Sequence, residues 1–457
     1  MRRSACLLVL LGACNWTFDG TAPELPLVGA APATAALPRL NQAPVGNIDF
    51  RRGADGQWWA TWNELQLVDG AGLTHQATRR LVSMQDPSRQ EVLFSDELQL
   101  GSSWVFTLVR RDDDDTTLLT RHLPGDDPAH DGQWTLPGSK GSLSIVAFDR
   151  VLLWYPGTGT AFQAFASDGG FARSIPLPDG VDFGALRSYD ADLGALLFTV
   201  GADGALWRWA LTGGSDAALG IQPQPFTTDD QHRRLWSCDG SGVRVLPYDA
   251  DTALVLDGEP CLEVLAFDGN TLYYRAASPP IRTVTSDGSM SVLPLPIRRI
   301  LAFGVDGVPL YSTTPSGTFE SDAGDGWLGA WKFMNRGAKP SMSSHGRLHY
   351  VENAATLFAI GDLWWADVGG PATHLARNCL DYEVLADGRV LILDDQEQRG
   401  DFNRLLVADE AAAERRWVAA GAEHFTRIPD TDDLLVTRYG PGGDDVVRVS
   451  IPSDPRK

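Results

Sequence analysis

From residue 47 onward the chain alternates short apolar runs with turn residues and carries almost no helical spacing. Ile145-Val-Ala-Phe148 and Val151-Leu-Leu-Trp-Tyr155 are typical: four or five residues, rich in β-branched and aromatic side chains. Such runs suit half-buried or fully buried strands. The stretch Asp409 to Ala420, with Ala411-Ala412-Ala413, has a helix-like composition, but it is short and lies between strand-like runs. The breaks between runs are often Asp-Gly, which occurs 14 times. Both residues tolerate positive φ, so the pair suits tight hairpins. The pattern predicts antiparallel, all-β structure.

The runs recur. Ile145-Val-Ala-Phe-Asp149, Val264-Leu-Ala-Phe-Asp268 and Ile300-Leu-Ala-Phe303 with Asp306-Gly307 share one form: apolar strand, turn at Asp, second apolar strand. Looser copies turn at Asp190, Asp230, His345, Asp387 and Asp432. The intervals from Asp149 onward are 41, 40, 38, 38, 39, 42 and 45 residues. A second landmark keeps the phase, because Asp168-Gly169, Asp287-Gly288 and Asp325-Gly326 each fall 19 residues after an anchor. A period near 40 with four strands per unit predicts a β-propeller. A lone blade exposes both faces, so blades must stack in a ring. We expect one propeller over 47–457, of about eight four-stranded blades within a range of seven to ten. Two less regular units lie around Asp55-Gly56 and Trp104, and N-terminal strands complete the last blade. Tryptophans such as Trp207, Trp209, Trp236, Trp364 and Trp365 fit packing between blades better than a sugar site.

Residues 1–46 read differently. Met1-Arg2-Arg3 is a basic start, Cys6 to Leu11 an apolar run, and Leu11-Gly12-Ala13-Cys14 a small-residue cleavage site. This is the layout of a secretory signal over 1–13, and the run is far short of the ~20 apolar residues that span a bilayer. The last four residues resemble the lipobox of bacterial lipoproteins. That resemblance implies cleavage before Cys14 and a lipid anchor on it, two or more acyl chains giving stable attachment. Asn15 after the cysteine implies sorting to the outer membrane by the enterobacterial pattern. Residues 14–46 carry Pro23, Pro26, Pro32, Pro38 and Pro44 among Ala, Thr and Gly, a composition suited to an extended tether.

The formal charge of −21 becomes −21 − 2 = −23 once Arg2 and Arg3 are removed. An acidic surface is repelled by nucleic acid and anionic lipid, so no nucleic acid partner is expected, and the membrane is reached through the lipid alone. Asp112-Asp113-Asp114-Asp115 reads as a solvated hairpin tip, since it lacks the alternation and glycine of a calcium loop. After Cys14, three cysteines remain. An oxidising compartment permits a Cys238–Cys261 disulfide and leaves Cys379 as a buried thiol.

Asp362-Leu-Trp-Trp-Ala-Asp367 through Leu375, and Glu383-Val-Leu-Ala-Asp387-Gly-Arg-Val-Leu-Ile-Leu393, resemble the strand pairs of TolB-type propellers. Leu-Ala stands where that family has Ser-Pro before Asp-Gly. Gly201 to Gly214 resembles a quinoprotein-type blade. Signal, lipobox and propeller together resemble, in architecture only, the propeller component of outer-membrane assembly machinery.

Motif chemistry is sparse. There is no Gly-x-Ser-x-Gly, HExxH or Walker loop. His345 and His349 bracket a predicted turn and strand, where four residues span ~13 Å, too far to share a metal. Glu320-x-Asp322-x-Gly324-x-x-Trp327 resembles a sialidase Asp-box with Glu in place of Ser or Thr. Tyr189-Asp-Ala-Asp192 recurs at Tyr248-Asp-Ala-Asp251 and reads as two acidic turns. No catalytic residue, metal site or cofactor is expected. The first functional reading is a monomeric, non-enzymatic envelope scaffold for a protein partner or ligand. The alternative is an enzyme acting on an oligosaccharide or small molecule in the central channel, since propeller enzymes gather catalytic groups from several blades without a linear motif.

Overall fold

The computed structural model describes residues 23–453, except 32–36, 42–47, 67–75, 102–103, 147–150, 157–160, 167–171, 177–182, 191–193, 201–204, 212–216, 222–225, 230–231, 278–280, 294–296, 304–308, 314–323, 329–330, 344–345, 356–359, 396–402, 410–412 and 441–442. Strands follow one another by antiparallel pairing into eight sheets, here I to VIII in chain order. Sheets I to VI have four strands each and cover residues 49–94, 97–137, 142–176, 183–221, 226–257 and 261–293. Sheet VII takes ten consecutive strands from 297–420 and an eleventh, Leu27–Val28. Sheet VIII, 422–450, has three strands. Within sheet VII, Trp331–Met342 and Ala372–Val384 are long because each serves two hairpins. Ala372–Val384 pairs backward through Ala372 to Cys379 and forward through Cys379 to Val384.

Burial follows strand position. Val390–Asp394 is buried at every residue. An unbroken apolar run of this kind suits a middle strand whose sheet is covered on both faces. Gln90–Phe94, the last strand of sheet I, instead alternates exposed and half-buried residues. Apolar clusters stitch neighbouring sheets together. Trp59 and Leu81 of sheet I meet Val105 of sheet II, and Phe106 and Leu119 of II meet Leu152 and Trp154 of III. Sheets IV to V, V to VI, VI to VII and VII to VIII are joined in the same way. Leu435 and Val446 of sheet VIII then pack on Ala60, Trp62 and Val82 of sheet I, which closes the ring. The fold is a β-propeller.

The N-terminal chain takes part in that closure. The Leu40 N–H donates to the Val446 carbonyl at 2.9 Å, and the Val446 N–H donates to Asn41 Oδ1 at 2.7 Å, so residues 40–41 lie along the open edge of sheet VIII. Leu27–Val28 adds in parallel to the outermost strand of sheet VII, Glu414–Ala420. Within the Pro-rich stretch, Leu25, Leu27, Leu37 and Leu40 pack on the ring.

Described anchors sit where the period puts them. Asp190, Asp268, Asp387 and Asp432 each lie at the turn between the first and second strands of a unit, and Asp287-Gly288 lies in a turn between later strands. Asp149, Asp230, Asp306, His345 and Asp168 lie outside the described residues. Asp325-Gly326 differs: it is inside strand Gly324–Leu328, at an irregular register. Glycine suits a strand irregularity as readily as a turn. In the stretch of helix-like composition, Ala413 at φ 53 enters strand Glu414–Ala420, which pairs antiparallel with Arg404–Asp409. Asp112 to Asp115 forms the tip between Val105–Arg111 and Thr116–His122, and the Asp115 carboxylate accepts from the Ser139 N–H and hydroxyl, both at 2.9 Å.

One buried histidine ties two sheets. His122 of sheet II faces Glu91 of sheet I through Nε2 at 2.8 Å and Asp131 through Nδ1 at 2.9 Å. Burial lowers its pKa, but the hydrogen bonds and charges of the two carboxylates raise it further, so the net shift is upward. The bridge is therefore strongest below the unfolded histidine value of ~6.5 and fades as pH rises through the folded value. His122→Gln should cost about 2 kcal/mol at pH 5.5 and markedly less at pH 9. Urea midpoints of both proteins at the two pH values test this; a loss independent of pH would show that His122 is not acting as a cation.

Candidate functional site

The kink in strand Ala372–Val384 builds a cleft against the N-terminal segment. Asn378 takes φ 50, the left-handed region that asparagine tolerates better than most residues. There the strand stops pairing backward and starts pairing forward. The kink leaves the Asn378 carbonyl to accept from the Asp395 N–H at 3.0 Å. It also leaves the Arg377 N–H to donate to Glu24 Oε1 at 2.8 Å. The resulting cleft, about 570 Å³, is lined by Glu24 to Leu27, Arg377, Asn378, Asp395, Arg404 and Arg415.

Strand register places its charges. Asp394 and Arg404 are directly opposed across neighbouring strands. They meet side-on: Arg404 Nε to Oδ1 and Nη2 to Oδ2, both 2.8 Å. Burial of Asp394 raises its pKa, and this outweighs the opposing pull of Arg404. Arg415 pairs in register with Leu27 of the N-terminal segment. Its Nε donates to the Leu25 carbonyl at 2.8 Å and its Nη2 to Glu24 Oε2 at 2.5 Å. Burial raises the pKa of Glu24, but the Arg415 charge and hydrogen bond, with the Arg377 N–H, more than reverse this, so the carboxyl stays below its usual range. Three guanidiniums thus face two lining carboxylates, Glu24 and Asp395, on a chain of net charge −21.

Sequence reasoning did not find this site. Arg377, Arg404 and Arg415 form no motif, and Glu24 falls in a Pro-rich stretch. The available signal was Leu25-Pro-Leu27-Val28, an apolar patch among prolines.

Residues singled out in the sequence are distributed elsewhere. Cys14 and Glu320 lie outside the described residues, as does His345. His349 is fully buried in strand Arg347–Ala355. Cys238 of sheet V and Cys261 of sheet VI are disulfide-bonded with Cα atoms 5.3 Å apart, and Cys379 is a buried cysteine outside that bond, its Sγ donating to the Asp381 carbonyl at 3.4 Å. The two Tyr-Asp-Ala-Asp copies act reciprocally between sheets IV and V. Asp190 of IV pairs with Arg233 of V at 2.6 Å, and Asp251 of V with Arg208 of IV at 2.6 Å. Among the described residues there is no cluster of metal-ligating side chains, and no helix is long and apolar enough to cross a membrane.

Sheets V and VI also carry an exposed apolar rim. Leu254 and Val255, on the last strand of V, are each 60% exposed. Met290 and Val292, on the last strand of VI, are each 54% exposed. The disulfide joins these same two sheets.

No family model and no curated protein matches the chain. Solved structures similar to it are β-propeller proteins. The propeller domain of the Trilobed protease from Pyrococcus furiosus is 11% identical with a TM-score of 0.31, over 74% of this chain and 98% of that one. Tricorn protease is 11% identical with a TM-score of 0.31, over 86% of this chain and 46% of that one. Streptogramin B lyase is 14% identical with a TM-score of 0.23, over 55% and 89%.

Proposed function

We propose that the chain is a cell-envelope lipoprotein, anchored through lipid on Cys14 to the outer membrane, whose propeller is a non-enzymatic scaffold for an envelope protein. The observation that carries the scaffold reading is the rim of Leu254, Val255, Met290 and Val292. Exposed edge strands with apolar side chains are templates for pairing with another chain, and natural proteins blunt or cover them. The disulfide holds the two sheets that bear the rim. Lipidation of Cys14 rests on the sequence Leu11-Gly-Ala-Cys14.

A photo-reactive residue at 255 or 292 tests the rim in cells of the source organism. One discrete cross-linked partner is expected from both positions. None is expected from position 368, where Val368 is similarly exposed but lies in the turn between strands Ile360–Asp367 and Ala372–Val384. The partner should be lost with Cys14→Ser, which frees the chain from the membrane. Uniform labelling from all three positions would sink the scaffold reading. Unchanged membrane retention and acylation of Cys14→Ser would sink the anchor.

A further inference from the structure

The N-terminal segment holds the ring at two places of unequal strength. At residues 40–41 the hold belongs to the closure itself. Leu40 and Asn41 are buried, both bond to the backbone of Val446, and Leu40 sits in the cluster that joins sheets VIII and I. At residues 24–28 the hold is shallow. Only Leu27 and Val28 pair with strand Glu414–Ala420, Pro26 and Val28 are exposed, and Leu25 and Leu27 are half-buried. Pro26 has no N–H with which to extend the pairing. The contact is fixed mainly by polar groups. Arg415 donates from its side chain to Glu24 and the Leu25 carbonyl, and from its backbone N–H to the Pro26 carbonyl at 2.8 Å. The Arg377 N–H donates to the other Glu24 oxygen. An ion pair with one partner partly in water is modest, and weakly packed segments open locally at far lower cost than the whole fold.

We propose that residues 24–28 are a releasable strap, which leaves strand Glu414–Ala420 while the ring stays closed, and that its state sets the reach of the tether. The reach rests on anchorage at Cys14. Glu24 is ten positions after Cys14, and Leu40 is 26 positions after it. At ~3.6 Å per residue, the first stretch of chain spans at most ~36 Å and the second at most ~94 Å. Docked, the strap keeps the outer edge of sheet VII close to the bilayer. Released, the strap leaves residues 40–41 as the first hold, and the propeller ranges about 2.6-fold farther.

Hydrogen exchange read residue by residue, on the processed chain beginning at Cys14, tests the strap without reference to lipid. The Arg377 and Arg415 amides, which donate to Glu24 and Pro26, are expected to exchange at least tenfold faster than the Val446 amide, which donates to Asn41. Glu24→Arg sets like charges together and is expected to speed the first two at least tenfold more, with Val446 unchanged. Val28→Cys with Arg416→Cys places an oxidisable pair at opposed register positions, and is expected to slow the Arg415 amide to the Val446 rate. Arg377 and Arg415 amides as slow as Val446 in the native chain would overturn the strap, since the segment would open only with the ring. Rates equal in the native chain and Glu24→Arg would also overturn it, since the segment would not be docked. Reach is read by coupling the Cys14 thiol to maleimide-bearing phosphatidylcholine vesicles, which makes native acylation unnecessary; Cys379 is buried. Energy transfer from tryptophan to dansyl headgroups is expected to fall at least twofold with Glu24→Arg and to rise in the oxidised pair. Equal transfer in all three chains would overturn the control of reach, whereas failure of the anchor itself shows separately, in the acylation of Cys14.

Discussion

Arg80→Met is expected to destabilise the propeller by about 3–5 kcal/mol, the cost of stranding a buried charge. The charge left behind is Glu64, 1% exposed at its side chain. Arg80 grips it side-on, Nε to Oε1 at 2.7 Å and Nη2 to Oε2 at 2.9 Å. The Trp62 indole N–H adds a third donor to Oε1 at 3.2 Å, and Arg80 Nη1 donates to Gln90 at 2.9 Å. The pair sits in sheet I, where Trp62 packs against sheet VIII to close the ring. Loss of Arg80 should therefore open the ring at its seam. The double variant Arg80→Met/Glu64→Leu removes both charges and should recover most of the loss, since well-packed apolar replacements of buried pairs are often neutral or better. Urea midpoints of the two variants decide the matter: a double variant as unstable as the single would show that the loss comes from packing and not from an unpaired charge.

Replacing Cys238 and Cys261 by serine should cost roughly 3 kcal/mol, from the chain entropy of a loop with sequence separation 23. The bond joins neighbouring sheets and not two strands of one sheet, so its loss removes the covalent tie between sheets V and VI and leaves their apolar cluster alone to hold them. Both cysteines are buried in the cluster containing Trp236 and Tyr274. The second strand of sheet V turns into the third at Gly242. That glycine has φ +116, and a Cβ there would lie 2.0 Å from the Asp257 carbonyl oxygen. The approach of the third strand to the fourth therefore tolerates little adjustment there. Thiol titration provides an independent check. A chain beginning at residue 23, unfolded without reductant, should show one reactive thiol, that of Cys379. Three would mean that the disulfide does not form.

Much of the architecture was legible in local pattern. Hairpin signals are short-range: Asp268, Asp387 and Asp432 turn the chain using only their own neighbours, so spacing alone reveals the repeat. Apolar runs such as Val390 to Leu393 announce middle strands because both faces of a stacked sheet are covered. The same signal failed at Asp325-Gly326, where glycine accommodates a strand irregularity instead of a turn. The helix-like composition around Ala413 leads into strand Glu414–Ala420, whose pairing with Arg404–Asp409 outweighs helix propensity.

By itself, the sequence determined the class of fold, the length of the repeat and the positions of several turns, because each depends on residues within a few positions of one another. Tertiary structure decided what those units share. Asp190 and Asp251 gained their arginines only when sheets IV and V came together. Glu24 met Arg415 across 391 positions, and the N-terminal segment acquired a strand partner only because the ring left an open edge beside it. Charge pairing across such separations leaves no periodicity to read, since it depends on which edges and turns the closed ring brings within hydrogen-bond distance.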